Sequence, residues 1–169
     1  MATVITLFNQ KGGAGKSTIA ICLAVEYRVR GSKVTLVDLD EQGSAAWWAT
    51  QQAEDSERRV DVLTPKLNAL PDLVSGSTAD YLIMDVPGEL GDTAFEALVV
   101  SSTVVVPTLP SPLDVRAVPP TLKLIATAKT ANPDLKTVIV LNKVNKRTTV
   151  TQETKEAIRS IAANFGVVD

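Results

Sequence analysis

Lys11-Gly12-Gly13-Ala14-Gly15-Lys16-Ser17-Thr18 decides how the rest of the chain is read. It follows the apolar, β-branched run Val4-Ile5-Thr6-Leu7-Phe8 and opens a long apolar helical stretch from Ile19 to Val29. Strand, glycine-rich turn and helix in that order make a phosphate-binding loop. The glycines let the backbone close around a polyphosphate and point its N–H groups inward. The positive end of the helix dipole then faces the anion. Lys16 is placed to reach the β- and γ-phosphates, and the Ser17 hydroxyl to ligate Mg²⁺. A glycine-rich turn with solvent-facing lysines is the plain alternative, and residue order, spacing and flanking elements all speak against it.

The loop departs from the usual G-x-x-x-x-G-K-[ST] pattern at one end. The first glycine would fall on position 10, which is Gln10, and a second lysine, Lys11, stands beside the glycine pair. A lysine there is costly unless an anion satisfies it, so it reads as a second phosphate ligand.

Composition narrows the class. At 169 residues, one α/β domain spanning 1–169 is expected. A 45% hydrophobic fraction with only 4% aromatic residues fits a Val/Ile/Leu/Ala-rich, mostly parallel sheet with helices on both faces. No apolar run reaches the roughly 18 residues that span a bilayer, and the N-terminus lacks a signal-peptide pattern, so a cytoplasmic protein is expected. Cys22 is the single cysteine, which excludes an internal disulfide; set among Ile21, Leu23 and Ala24, it reads as a small core residue. The absence of histidine removes imidazole acid–base chemistry and His metal sites. Charge is uneven. Residues 1–112 carry 8 basic against 14 acidic residues, a balance of −6, and residues 113–169 carry 9 against 5, a balance of +4. Such a skew suits either a nucleic-acid-facing surface or plain solvated helix faces.

Further apolar strands ending in polar residues follow the loop. Lys33 to Asp38 is the next, running into Asp38-Leu39-Asp40-Glu41-Gln42-Gly43-Ser44. Ligands in open α/β sheets bind at such strand ends, so Asp38 and Asp40 are candidates to hold a metal's water shell or orient an attacking water. An acidic turn capping the next helix is the competing role. Ala45 to Ala53 reads as that helix; adjacent Trp47 and Trp48 cannot share one face, so at least one points outward. Arg58 to Leu63 is a weak strand and Pro65 to Ser75 a helical segment. Tyr81-Leu82-Ile83-Met84-Asp85-Val86-Pro87-Gly88 has the form of a Walker B strand and switch loop. Asp85 is a candidate to accept from a Mg²⁺-bound water or from Ser17, and Gly88 to approach the γ-phosphate. Helix Thr93–Val100 and strand Thr103–Leu109 come next, then a helix from Ser111 to about Ala131 that Pro119-Pro120 must kink or restart. Strand 136–142 ends in Asn142-Lys143-Val144-Asn145, close to the N-K-x-D pattern of GTPases. The final position is an amide, which accepts poorly from guanine, so adenine is the expected base. An amphipathic helix over 152–164 and a possible strand start at Gly166–Asp169 close the chain.

Together, Lys11-Gly-Gly-Ala-Gly-Lys16-Ser17, Asp38-x-Asp40-x-Gln42-Gly43-Ser44 and Asp85-x-Pro87-Gly88 resemble the ParA/MinD family of deviant-P-loop ATPases, above all its short partition ATPases. The resemblance implies Mg²⁺ and ATP/ADP as cofactors, an ATP-dependent sandwich homodimer, slow hydrolysis and non-specific DNA binding. It also implies a ParB-like or cargo-adaptor partner and a nucleoid-associated ATP state. By it, Lys11 is the signature lysine that crosses to the partner subunit's phosphates, Asp40 supports the hydrolytic water, and Asn142 falls where the family contacts adenine. Two departures stand out. Glu41 replaces the usual proline of D-x-D-P-Q-G, and the chain ends at Asp169 where family members usually continue with a further strand and helices. A MinD-like membrane positioner and a metabolic enzyme on the same scaffold are the other classes. The first wants a basic amphipathic C-terminal helix, but 152–164 contains Glu153 and Glu156; an iron–sulfur enzyme wants several cysteines.

Overall fold

Runs of Val, Ile and Leu too short for helices and bounded by polar or Pro-Gly segments become strands, and the Ala-rich stretches between them become helices. The computed structural model describes residues 2–53, 56, 58–66, 68–145 and 149–167. Its elements run β1 (Thr3–Leu7), α1 (Lys16–Val29), β2 (Val34–Asp38), α2 (Ser44–Thr50), β3 (Asp61–Leu63), α3 (Leu70–Gly76) and β4 (Tyr81–Asp85), followed by α4 (Asp92–Val99), β5 (Thr103–Thr108), α5 (Pro112–Val115), α6 (Val118–Ala131), β6 (Lys136–Leu141) and α7 (Thr149–Asn164).

The strands form one 6-stranded sheet in the order β3-β2-β4-β1-β5-β6, and every pairing is parallel. Side chains alternate across it with the two-residue period of extended chain. Along β4, Leu82 and Met84 enter the core beneath α4 and α6, while Ile83 enters the opposite core with Leu7, Leu36 and Ala45. Ala20 and Ala24, both fully buried, let α1 lie close on that second face. Register matters most for function: Leu7 and Asp38 both align with Asp85. The last residues of three neighbouring strands therefore end level, with the glycine-rich loop leaving β1 directly above.

Several expectations change on folding. The helix expected over 65–75 is confined to α3, because Asn68 takes a left-handed φ of 68° and the Glu96 carboxylate accepts the N–H groups of Asn68 and Leu70. The long helix after Ser111 is two helices, with both prolines in the first turn of α6, where a missing N–H costs nothing. Cys22 is exposed rather than a core residue, since the buried stripe of α1 runs through Lys16, Ala20 and Ala24. Of the two tryptophans, Trp48 packs against the α1-side core and Trp47 is 67% exposed. Gly166 adopts a turn with φ 65°, and Val168 and Asp169, the rest of the possible last strand, lie outside the described residues.

Candidate nucleotide-binding site

Above the level strand ends lies a cleft of about 1130 Å³ lined by Gly12, Gly13, Gly15, Lys16, Ser17 and Thr18 of the loop. Asp40 and Gln42, then Gly88, Trp47, Trp48 and Asn142, complete its walls. Positive φ at Gly13 (77°) and Gly15 (97°) shapes the turn and demands glycine there. Lys16 begins α1 and is 9% exposed, so its ammonium is enclosed at the cleft floor. Gly88 arrives from the β4–α4 loop so closely that a Cβ would sit 3.1 Å from the Gln10 carbonyl and 3.4 Å from Lys16 Nζ.

The two lysines part company. Lys16 lines the cleft, whereas Lys11 is exposed and does not. Its backbone N–H is turned down onto Asn9 Oδ1 at 3.0 Å. Lys11 thus stands outside the cleft that Lys16 lines.

The acidic residues separate equally clearly. Asp38 is 3% exposed, and both its oxygens accept backbone N–H groups: Oδ1 from Asp40 at 3.1 Å and Oδ2 from Ala46 at 2.8 Å. It braces the 40–46 loop and caps α2, whose N-cap Gly43 offers no side chain. The capping role thus falls to Asp38 and not to Gly43-Ser44. Asp40 is half-buried at the cleft wall, its Oδ1 accepting from Gln42 N at 3.0 Å. Asp85 is different. It is fully buried; neither carboxylate oxygen makes a well-formed hydrogen bond within the protein, and the Ser17 hydroxyl is the group that approaches it. Burial pushes its pKa from 3.8 up to about 6; the Ser17 hydroxyl opposes this, Asp38 adds to it, Lys16 opposes it and Asp40 adds to it. An orphaned buried carboxylate beside a serine hydroxyl fits a Mg²⁺ ion with its water shell, which would satisfy both oxygens and restore the charged form. Ser17 and Asp85, with Asp40 at the rim, are the residues that would hold it.

Two residues of the site escaped the sequence reading. Asn9, 0% exposed, donates from Nδ2 to the Pro107 carbonyl at 2.6 Å while its Oδ1 holds Lys11 N. Thr121, also 0% exposed, takes Gln10 N on its hydroxyl at 3.2 Å and shares its proton between Ala117 O and Asn9 Oδ1. A polar residue directly after the largely apolar run Val4–Phe8 was the available signal for Asn9; Thr121 gave none. Asn142 sits at the end of β6, its Nδ2 donating to the Ala14 carbonyl at 2.9 Å.

This geometry has counterparts among known proteins. Residues 5–168 match the family model described as the CobQ/CobB/MinD/ParA nucleotide binding domain. The chain is 30% identical over 164 residues to maintenance of carboxysome distribution protein A of Halothiobacillus neapolitanus, covering 95% of this chain and 75% of that protein. It is 30% identical to the chromosome-partitioning ATPase Soj of Thermus thermophilus, covering 96% and 76%. In fold it is similar to cobyrinic acid a,c-diamide synthase from Mycobacterium smegmatis, solved with bound ADP and magnesium (TM-score 0.77, 21% identity, 95% and 82% of the chains). A plasmid partition protein from Borrelia burgdorferi is similar too (TM-score 0.76, 19% identity, 94% and 86%). Matched to the family model over residues 5–168, this chain belongs to the CobQ/CobB/MinD/ParA nucleotide-binding family.

Proposed function

We propose that this chain is a Mg²⁺-dependent ATPase of the partition and positioning type, working as an ATP-dependent homodimer on non-specific DNA. A ParB-like or cargo-adaptor partner would stimulate its slow hydrolysis of ATP to ADP and phosphate. The observation that carries the reading is the split between the lysines: Lys16 enclosed at the cleft floor, Lys11 exposed outside it. A loop lysine facing away from its own site is poised to enter another, where a cation delivered in trans is worth roughly 10³–10⁵ in rate in other NTPases. The similarity to a carboxysome distribution protein and to Soj supports a positioning role over a metabolic one.

The remaining roles follow from the site. The bound metal neutralises phosphate charge and organises water. Lys16 Nζ and the glycine N–H groups hold the phosphates, Gly88 closes over them, and Asp40, half-buried at the wall, orients the attacking water. The basic skew of residues 113–169 supports DNA contact. No helix among the described residues is long and apolar enough to cross a membrane, and α7 exposes Glu153 and Glu156, so nothing favours a membrane positioner.

The test separates the lysines. Lys16→Ala abolishes ATP binding, whereas Lys11→Ala binds ATP but no longer dimerises in light scattering. Normal ATP-driven dimerisation of Lys11→Ala would refute the trans role. Asp40→Ala binds ATP and dimerises, but turns over poorly.

A further inference from the structure

We infer that Asn142 is a positioning residue of the phosphate loop, acting on the loop backbone instead of selecting the base. The inference rests on the nucleotide reading of the cleft. Asn142 is fixed to the sheet by its own N–H, which donates to the Thr108 carbonyl at 2.8 Å. From that anchor its side-chain Nδ2 reaches across to the Ala14 carbonyl at 2.9 Å, a link between residues 128 apart in sequence. Its Oδ1 accepts the N–H of Lys143 at 2.8 Å, and Lys143 takes a left-handed φ of 52° that a lysine seldom adopts. Both ends of the amide are thus held by the protein.

The effect on the loop follows from peptide geometry. In a planar trans peptide the carbonyl of one residue and the N–H of the next point in opposite directions. Tying the Ala14 carbonyl to Asn142 therefore turns the Gly15 N–H away from Asn142 and holds it there. Ala14 itself is 0% exposed, so its peptide is set from below and cannot be reset by solvent. Gly15 completes the device: a Cβ at this position would collide with Asn142 Nδ2, so the glycine makes room for the amide as well as supplying its φ of 97°. The loop is consequently fixed from two sides, by Asn9 and Thr121 at its start and by Asn142 at its end. Base selection needs a group whose polar atoms are free to face the base; here one N–H of the amide is already committed to the loop and the oxygen to Lys143.

A ligand with phosphates and no base distinguishes the two roles. Mg²⁺-tripolyphosphate and Mg²⁺-ATP are titrated calorimetrically into the parent, Asn142→Ala and Asn142→Leu, the last keeping the side-chain bulk without its polar atoms. Loop positioning predicts that both substitutions weaken both ligands by the same factor, about 3- to 10-fold for one lost hydrogen bond. The ligand-free melting midpoint should fall by no more than about 5 °C, the most that one lost hydrogen bond costs a chain of this size. Loss confined to ATP, with tripolyphosphate unchanged, would make Asn142 a base contact and overturn the inference. Unchanged affinity for both ligands, or a fall in affinity accompanied by a larger fall in the midpoint than that, would overturn it too. If the parent binds neither ligand, the nucleotide reading itself fails, an outcome distinct from the others.

Discussion

Asp85 should make the metal-free protein less stable as pH rises, and Asp85→Asn should remove that dependence. The carboxylate is fully buried without a well-formed hydrogen bond, and burial outweighs the nearby Ser17 hydroxyl, so its pKa stands at about 6 in the fold against 3.8 for the free group. Between those two values the folded state binds more protons than the unfolded state, so stability falls with increasing pH. Below about pH 3 the group is protonated in both states and costs nothing extra; above about pH 7 the whole penalty applies. A shift of roughly 2 units at 1.36 kcal/mol per unit amounts to about 3 kcal/mol. The neutral amide of Asn resembles the protonated acid in shape and has no charge to desolvate. Urea unfolding in EDTA at pH 4 and pH 7.5 should therefore show the stability of Asp85→Asn relative to the parent improving by about 2.5 kcal/mol between the two conditions. With saturating Mg²⁺-ATP the order should reverse, because the ligand stabilises only the protein that can hold its metal. A difference between the two proteins that moves by less than about 1 kcal/mol from pH 4 to 7.5 in EDTA would refute the assignment of Asp85 as a charge held without a well-formed hydrogen bond.

Three other substitutions probe separate parts of the site. Asp38→Ala removes the bonds to Asp40 N and Ala46 N, so it should cost about 2 kcal/mol in chemical unfolding without any nucleotide present; a ligand-free stability equal to the parent's would contradict its bracing role. Gly88→Ala places a methyl against the Gln10 carbonyl and Lys16 Nζ, and should reduce ATP turnover about 10-fold or more while the fold melts within a few degrees of the parent, as a steady-state assay with thermal denaturation would show. Trp47→Ala removes a side chain that is 67% exposed, so stability should change by no more than about 0.5 kcal/mol. Because Trp47 and Trp48 both line the cleft, the same substitution should reduce any tryptophan fluorescence change on ATP binding and leave the share that Trp48 carries.

The phosphate loop and the strand–helix alternation were legible in the sequence because both are local. Glycine spacing, a lysine before a serine and short β-branched runs each act within a few residues of chain. The position of Asp85 at a strand end was legible for the same reason. Its lack of a well-formed hydrogen bond was not, because that depends on what β1 and β2 place around it. Asp38 shows the limit well: its spacing from Asp40 does not say that it caps the next helix, and only the path of the loop to Ala46 reveals it.

The sequence by itself therefore determined the class of ligand and the elements that carry it, since these are written in nearest-neighbour patterns. Tertiary structure alone decided which of two loop lysines is enclosed, which of three aspartates is left without a well-formed hydrogen bond, and how the loop is held. Each of these turns on residues distant in the chain: Thr121 lies 111 residues from Gln10, and Asn142 lies 128 from Ala14. A parallel sheet brings such residues together by ordering its strands β4-β1-β5-β6, an order that no local pattern records.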